Sequence, residues 1–520
     1  MTKIEMTKKL TKIFHWAYLA LFMTILLAVC LTYCGNLMHL PLKIDEFDFK
    51  GIFAGIFMAA LAIILYSVLN SKIKIDSRSI NILYAVAASL MLTVQLFFVF
   101  KLKNVPFSDC GFIHNAACEY AKGADFSQAV TATAKHETYF WQFPNNWAML
   151  ILLSNYYKLI FALKGSISVY DAGLLNTAFI QIGLFFLYRC MRLIFNDNRK
   201  TAFGILLMLG YAPLYTYAAY CYTDSMSIPF VTAAVYLIIK AKRANSIKAF
   251  FGFTAAASTV IAVGYSVKGS LAVLLVASAI YFAANLPLKK WLPATAIMAA
   301  VLIAFSSGVK NYGINSGIAT EKQLDDHQFP TVHWVMMGLK DEGGFDVDEH
   351  NFTKFQPDLE TRKIKDKEVV KGRFHDMSAA DMGKHLMKKI GFTWSDGTYY
   401  INHHLKKAQE SSIKTLICHN KTVLLYFQSY HLMILIAMGL SIISGAFKGK
   451  SNSMAYVNLA VFGLTLFLLI WETRSRYLFN FIPLMLIMAA NGIDFAALKL
   501  KTYCHSKLKI SLSAQQRENI

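Results

Sequence analysis

Residues 455–497 read AYVNLAVFGLTLFLLI, then WETRSRY, then LFNFIPLMLIMAANGIDFAA. A hydrocarbon core about 30 Å thick takes roughly 20 apolar residues per helical crossing, so 455–471 and 477–497 read as two crossings. Lipid offers no hydrogen-bond partner, and a helix satisfies its own backbone. The short middle segment therefore sets Glu472, Arg474 and Arg476 at a membrane face. Outward from this pair, comparable runs occur at 14–34, 51–69, 81–100, 172–190, 203–220, 226–240, 250–265, 270–286, 292–309 and 423–446. The 520 residues are 56% hydrophobic and only 16% charged, where a soluble domain carries about a quarter charged residues. The chain reads as an all-α polytopic membrane protein with about 12 transmembrane helices.

Charge distribution orients it. The net charge is +21, with Lys and Arg clustered between apolar runs: Lys3 to Lys12, Arg189 to Lys200, Lys240 to Lys248, Lys289 and Lys290, Lys448 and Lys450, and Lys499 to Lys509. Such clusters mark cytoplasmic helix ends. No basic stripe is interleaved with stacking aromatics, so nucleic acid is excluded as a partner. The stretch 147–163 carries Asn155, Tyr156, Tyr157 and Lys158 and reads as an interfacial helix. With twelve crossings, all the basic clusters and both termini fall in the cytoplasm of a multi-pass plasma-membrane protein. The first run is longer than a secretory signal and lacks a small-residue cleavage site, so it reads as a retained anchor. The eight cysteines are scattered and read as unpaired thiols.

The same topology gathers five features on the extracytoplasmic face. These are loop 101–171 with Asp109 and His114, the turn holding Asp224, the turn holding Lys268, the long loop 310–422, and the turn holding Glu472, Arg474, Arg476 and Tyr477. Loop 310–422 is too long for a simple connection and reads as a folded domain of mixed secondary structure. It has a helical stretch from Ala379 to Ile390 and turn signals at Glu342-Gly343-Gly344 and Ser395-Asp396-Gly397.

Asp109 and Asp224 each stand near a helix start, where a carboxylate also serves as an N-cap. At the rim of a dry cavity the same group serves as a general base, and Asp109 is the candidate for that role. Lys268, Arg474 and Arg476 break the positive-inside bias, which points to an anionic ligand; arginines two apart suit a phosphate, although interfacial anchoring would also account for them. Glu472, Tyr477 and His114 complete the candidate substrate contacts. Six histidines, His114, His136, His327, His333, His403 and His404, lack the spacing of a zinc site, so no metal is expected. No phosphate-binding glycine loop is present, and no cofactor is expected.

Ser108 to Ala117 and Tyr139 to Trp147 resemble the first outer loop of the GT-C glycosyltransferase superfamily, which includes protein O-mannosyltransferases and lipid A aminoarabinose transferases. Tyr222-Thr223-Asp224-Ser225 with Pro229 is similar to its second acidic site, and Glu472 to Tyr477 with Pro483 to its Glu-x-Arg-x-Arg-Tyr…Pro pattern. Pro330 to Leu339 and Trp394 to Tyr399 resemble a Gram-positive bacterial branch. The resemblance spans 81–497. It implies a GT-C-like bundle and an inverting transfer of sugar from a polyprenyl-phosphate donor, a membrane lipid, to a cell-envelope acceptor such as a glycan, teichoic acid, protein or lipid. Asp109 would be the base, Asp224 would position substrate, and Lys268, Arg474 and Arg476 would hold the donor phosphate. Asp109 here follows the third predicted helix rather than the first, so the helices within 1–80 look added. The implied division is then 1–80, a catalytic module 81–309, the loop domain 310–422 and the C-terminal part 423–520. A lipid-linked sugar flippase and a polysaccharide polymerase are the competing readings.

Overall fold

A computed structural model describes residues 3–35, 48–132, 138–448 and 453–518. His136 and Lys450 lie outside the described residues. Among those described, ten helices are long and apolar enough to cross a membrane, from Lys9–Tyr33 to Ser475–Cys504. Two of the twelve expected crossings take other forms. Stretch 203–220 is a broken pair, Asn198–Leu209 and Pro213–Ala219, bent by 62°. Stretch 270–286 is the shorter helix Gly269–Asn285.

The break has a local cause and a local remedy. Pro213 cannot donate to the preceding turn but suits the first turn of a new helix. The carbonyls freed beyond it are satisfied by buried amides. Gln95 Nε2 donates to Leu214 O at 2.8 Å and Asn104 Nδ2 to Ala219 O at 3.1 Å. Asn176 Nδ2 reaches Tyr217 O at 2.7 Å and Tyr220 O at 3.0 Å. Within a bundle at membrane depth, such partners are what make an interrupted helix tolerable.

The two ends of the bundle differ in chemistry. At one, Lys200 pairs with Asp494 at 3.1 Å, Arg199 donates to Asn70 O, and Arg243 donates to Ser453 Oγ. At the other, backbone bonds tie the long loops together: Gln409 N to Leu102 O, Phe329 N to Gln142 O, Glu472 N to Trp334 O and Thr473 N to Gly343 O. The helix Trp147–Lys164, on the stretch expected at the interface, packs there against Ser108–Ala121.

The expected mixed character of loop 310–422 is corrected. Its described secondary structure is entirely helical, in short pieces including Thr331–Gly338, Val347–Lys354, Leu359–Asp376 and Ala379–Trp394. Ser378 caps the last of these by accepting from Asp381 N. Their shortness hid most of them, because a helix of one or two turns shows little periodicity. Gly338 lets this domain dock closely, since a Cβ there would stand 2.6 Å from Ile470 O.

Candidate functional site

A cavity of about 420 Å³ opens where the tied loops meet. Its wall takes Asp109 from the first loop, Tyr220 and Tyr222 from the segment after the broken helix, Trp334 from the loop domain, and Arg474 and Arg476 from the 471–477 turn.

Asp109 is the second residue of helix Ser108–Ala121, and Phe107 holds the N-cap position without a side-chain bond. Asp109 is therefore not the N-cap of this helix, the other role its position allowed. Ser108 enters the helix at φ 54°, a left-handed backbone that a non-glycine residue adopts at a cost of order 1–3 kcal/mol, of the kind that gathers at functional sites. The half-buried Asp109 carboxylate accepts from Tyr222 Oη at 3.3 Å. It faces no cation within ion-pair distance among the described residues.

Asp224 is wholly buried, and both oxygens are taken. Lys268 Nζ donates to Oδ1, and Arg476 Nη1 donates to Oδ2 at 2.9 Å. Tyr222, not Asp224, is the N-cap of its helix. Asp224 and Lys268 lie behind the cavity wall rather than on its lining. The pair of charges therefore aims Arg476, which lines it. From Arg476 the network continues: Nη2 approaches Tyr477 Oη at 3.4 Å, and that hydroxyl donates to Glu472 Oε2 at 2.9 Å. Burial raises the Glu472 carboxyl above the usual range, with Arg476 opposing the rise.

Arg474 differs from Arg476. Its guanidinium lies 4.6 Å over the Tyr400 ring and 5.3 Å over Phe392, with no carboxylate partner among the described residues. Tyr400 has φ 69° and follows Tyr399 at φ 56°. Asp396 holds this strained pair by accepting from Tyr400 N at 2.7 Å, and also accepts from Ser475 Oγ at 2.8 Å. The turn read from Ser395-Asp396-Gly397 thus fixes an aromatic platform under Arg474.

Asp109, Glu472, Arg474, Arg476 and Tyr477 share one cavity, with Asp224 and Lys268 directly behind it. His114 is not brought there. Five residues past Asp109, it is rotated about 140° around the helix; its Nδ1 meets Tyr157 Oη at 2.6 Å. Sequence reasoning missed His350 and gave no role to His333, Trp334, Tyr400, His403 and His404, which also line the cavity. Burial, then the charge of Arg474, lowers His403 to about 4; burial lowers His333 to about 3. Both are neutral acceptors and donors near pH 7. Among the described residues no group of three metal-ligating side chains converges.

Comparison with known proteins gives three findings. No curated protein matches the sequence. Among solved structures, ArnT from Cupriavidus metallidurans bound to undecaprenyl phosphate is 12% identical, with 80% of this chain and 78% of that one covered and a TM-score of 0.33. Its apo form is 13% identical, with 79% and 76% covered and a TM-score of 0.32. Superpositions this loose transfer neither residues nor ligands. The model of the family "Conserved hypothetical integral membrane protein" matches residues 7–496. Matched along nearly its whole length, the chain belongs to that family.

Proposed function

We propose that the chain is a membrane glycosyltransferase of GT-C type, moving a sugar from a polyprenyl-phosphate donor to a cell-envelope acceptor on the extracytoplasmic face. One observation carries the reading: a carboxylate without an ion-paired cation, Asp109, and a guanidinium without an ion-paired carboxylate, Arg474, among the described residues, line the same cavity. Stable folding pairs such groups with each other or with a neighbour; here each is left for a ligand.

The chemistry follows from what is free. Arg474, assisted by Arg476, holds the donor phosphate and stabilises the charge it gains on leaving. Asp109 accepts the proton of the acceptor hydroxyl as its oxygen bonds to the anomeric carbon and the carbon–phosphate oxygen bond breaks. A single displacement inverts the anomeric centre. Asp224 and Lys268 act through Arg476 as positioning residues, and Glu472 orients Tyr477. The basic end of the bundle faces the cytoplasm with both termini.

The test supplies purified protein in lipid with polyprenyl-phosphate hexoses and a panel of glycan, teichoic acid, protein and lipid acceptors. Sugar transfer that Asp109→Asn abolishes supports the proposal. Full activity in that variant would remove Asp109 as base. Movement of the lipid-linked sugar across the bilayer without transfer would replace the enzyme with a flippase, and a requirement for a diphosphate donor would indicate a polymerase.

A further inference from the structure

The loop domain presents a polar group that the proposed reaction does not use. His333 is fully buried in the cavity wall, on helix Thr331–Gly338. Its Nδ1 meets Thr353 Oγ1 at 2.7 Å, and the Thr353 hydroxyl donates to Asp366 Oδ1 at 2.8 Å. A hydroxyl has one hydrogen. With it committed to Asp366, Thr353 can only accept from His333, which fixes the proton on Nδ1. Asp366 Oδ2, 4.0 Å from that nitrogen, favours the same tautomer. Nε2 is left as a bare acceptor, buried and without a protein partner among the described residues. A buried acceptor in this state costs stability unless something donates to it.

The surroundings say what donates. Trp334 and Phe345 line the cavity beside His333, with Phe329 edge-on to its ring at 4.7 Å. An aromatic wall with one precisely fixed acceptor suits a molecule with apolar C–H faces and hydroxyl donors, the surface of a pyranose. The wall is also in the right place. Trp334 O accepts from Glu472 N at 2.8 Å, and Arg474 is two residues on, at most about 7 Å of chain away. A sugar is one oxygen from its phosphate, so a phosphate on Arg474 sets the ring against this wall.

Resting on the donor reading above, we propose that this wall is the subsite for the transferred sugar, whose ring lies on Trp334 with a hydroxyl donating to His333 Nε2. The Thr353–Asp366 pair holds the histidine in the required tautomer.

Binding separates this proposal from the reaction itself. Undecaprenyl phosphate and its glucosyl, galactosyl and mannosyl derivatives are titrated into the intact protein, followed by tryptophan fluorescence and checked by native mass spectrometry. At least one glycosylated lipid binds about tenfold tighter than the bare phosphate. His333→Phe and Trp334→Ala remove that difference and leave affinity for the bare phosphate unchanged; His333→Gln, whose amide oxygen still accepts, retains part of it. Arg474→Ala weakens both ligands. Equal affinity of the wild type for every glycosylated lipid and the bare phosphate would overturn the sugar subsite while leaving the donor phosphate site standing. So would a His333→Phe variant that weakens both ligands in parallel. Failure of the wild type to bind bare undecaprenyl phosphate would instead overturn the donor reading, and the subsite with it.

Discussion

At the scale of single residues, the site divides charges that are spent from charges that are free. Asp224 is spent, because two cations share it with no solvent in reach. Removing it leaves the mostly buried Lys268 and Arg476 side by side without their shared carboxylate, a change whose cost approaches the roughly 3–5 kcal/mol of a broken buried pair. Asp224→Ala should therefore lower the thermal unfolding midpoint as well as activity, whereas Asp109→Asn should abolish transfer and leave the midpoint nearly unchanged. Thermal unfolding in detergent distinguishes them; equal destabilisation by the two would show that Asp109 is structural. Asp109, the segment around Asp224 and the 472–477 turn were legible in the sequence because charge beside an apolar run is conspicuous. That Asp224 belongs to Lys268 and Arg476 was not, since the partners lie far apart in the chain. The tautomer of His333 was hidden for the same reason, and the two strained tyrosines have no compositional mark.

At the scale of elements, the loop domain depends on contacts that its own helices do not supply. Tyr33 Oη, at the end of the first membrane helix, donates to Ser395 O at 3.0 Å, next to the turn that carries Tyr399 and Tyr400. The first membrane helix thus braces the turn that carries the cavity residue Tyr400. Tyr33→Phe should cost about 1 kcal/mol and loosen the 395–400 turn, read as faster amide hydrogen exchange there; unchanged exchange would deny the brace. Acid should release the same domain. His333 and His403 titrate below their ordinary value of about 6.5. The unfolded chain thus binds more protons between that value and the folded ones, near 3 and 4. The histidine contribution is complete above pH 6.5 and falls as pH drops toward 4, by at most about 1.4 kcal/mol per unit for each histidine, offset in part by Asp366, whose carboxyl is raised by burial to about 6. Unfolding midpoints across pH 4–7 check the sign, and a midpoint that rose on acidification would contradict it. Membrane helices were readable at this scale because composition alone defines them. The loop helices, apart from Ala379–Trp394, were not, because each is too brief to display a face.

At the scale of the whole molecule, one end is basic and the other holds the cavity, and the long apolar helices between them, ten among the described residues and eleven with the broken pair, account for that division. The positive-inside rule predicts that the basic end faces the cytoplasm. Glu321→Cys, at an exposed position near the cavity end, should react with a membrane-impermeant maleimide on intact cells. Native Cys504, exposed at the opposite end, should react only after permeabilisation. The reverse pattern would invert the topology and place the cavity in the cytoplasm.

Asn176 lies beneath that cavity and never meets its contents, yet its amide holds two of the carbonyls that the broken helix leaves behind. Those carbonyls precede the tyrosine that bonds Asp109 and the aspartate that aims Arg476. Were the amide lost, the peptide groups would turn to find other partners, and both of these cavity-lining charges would move with them. A screen for inactive variants would then score this asparagine alongside Asp109 and Arg476, although its work is carpentry.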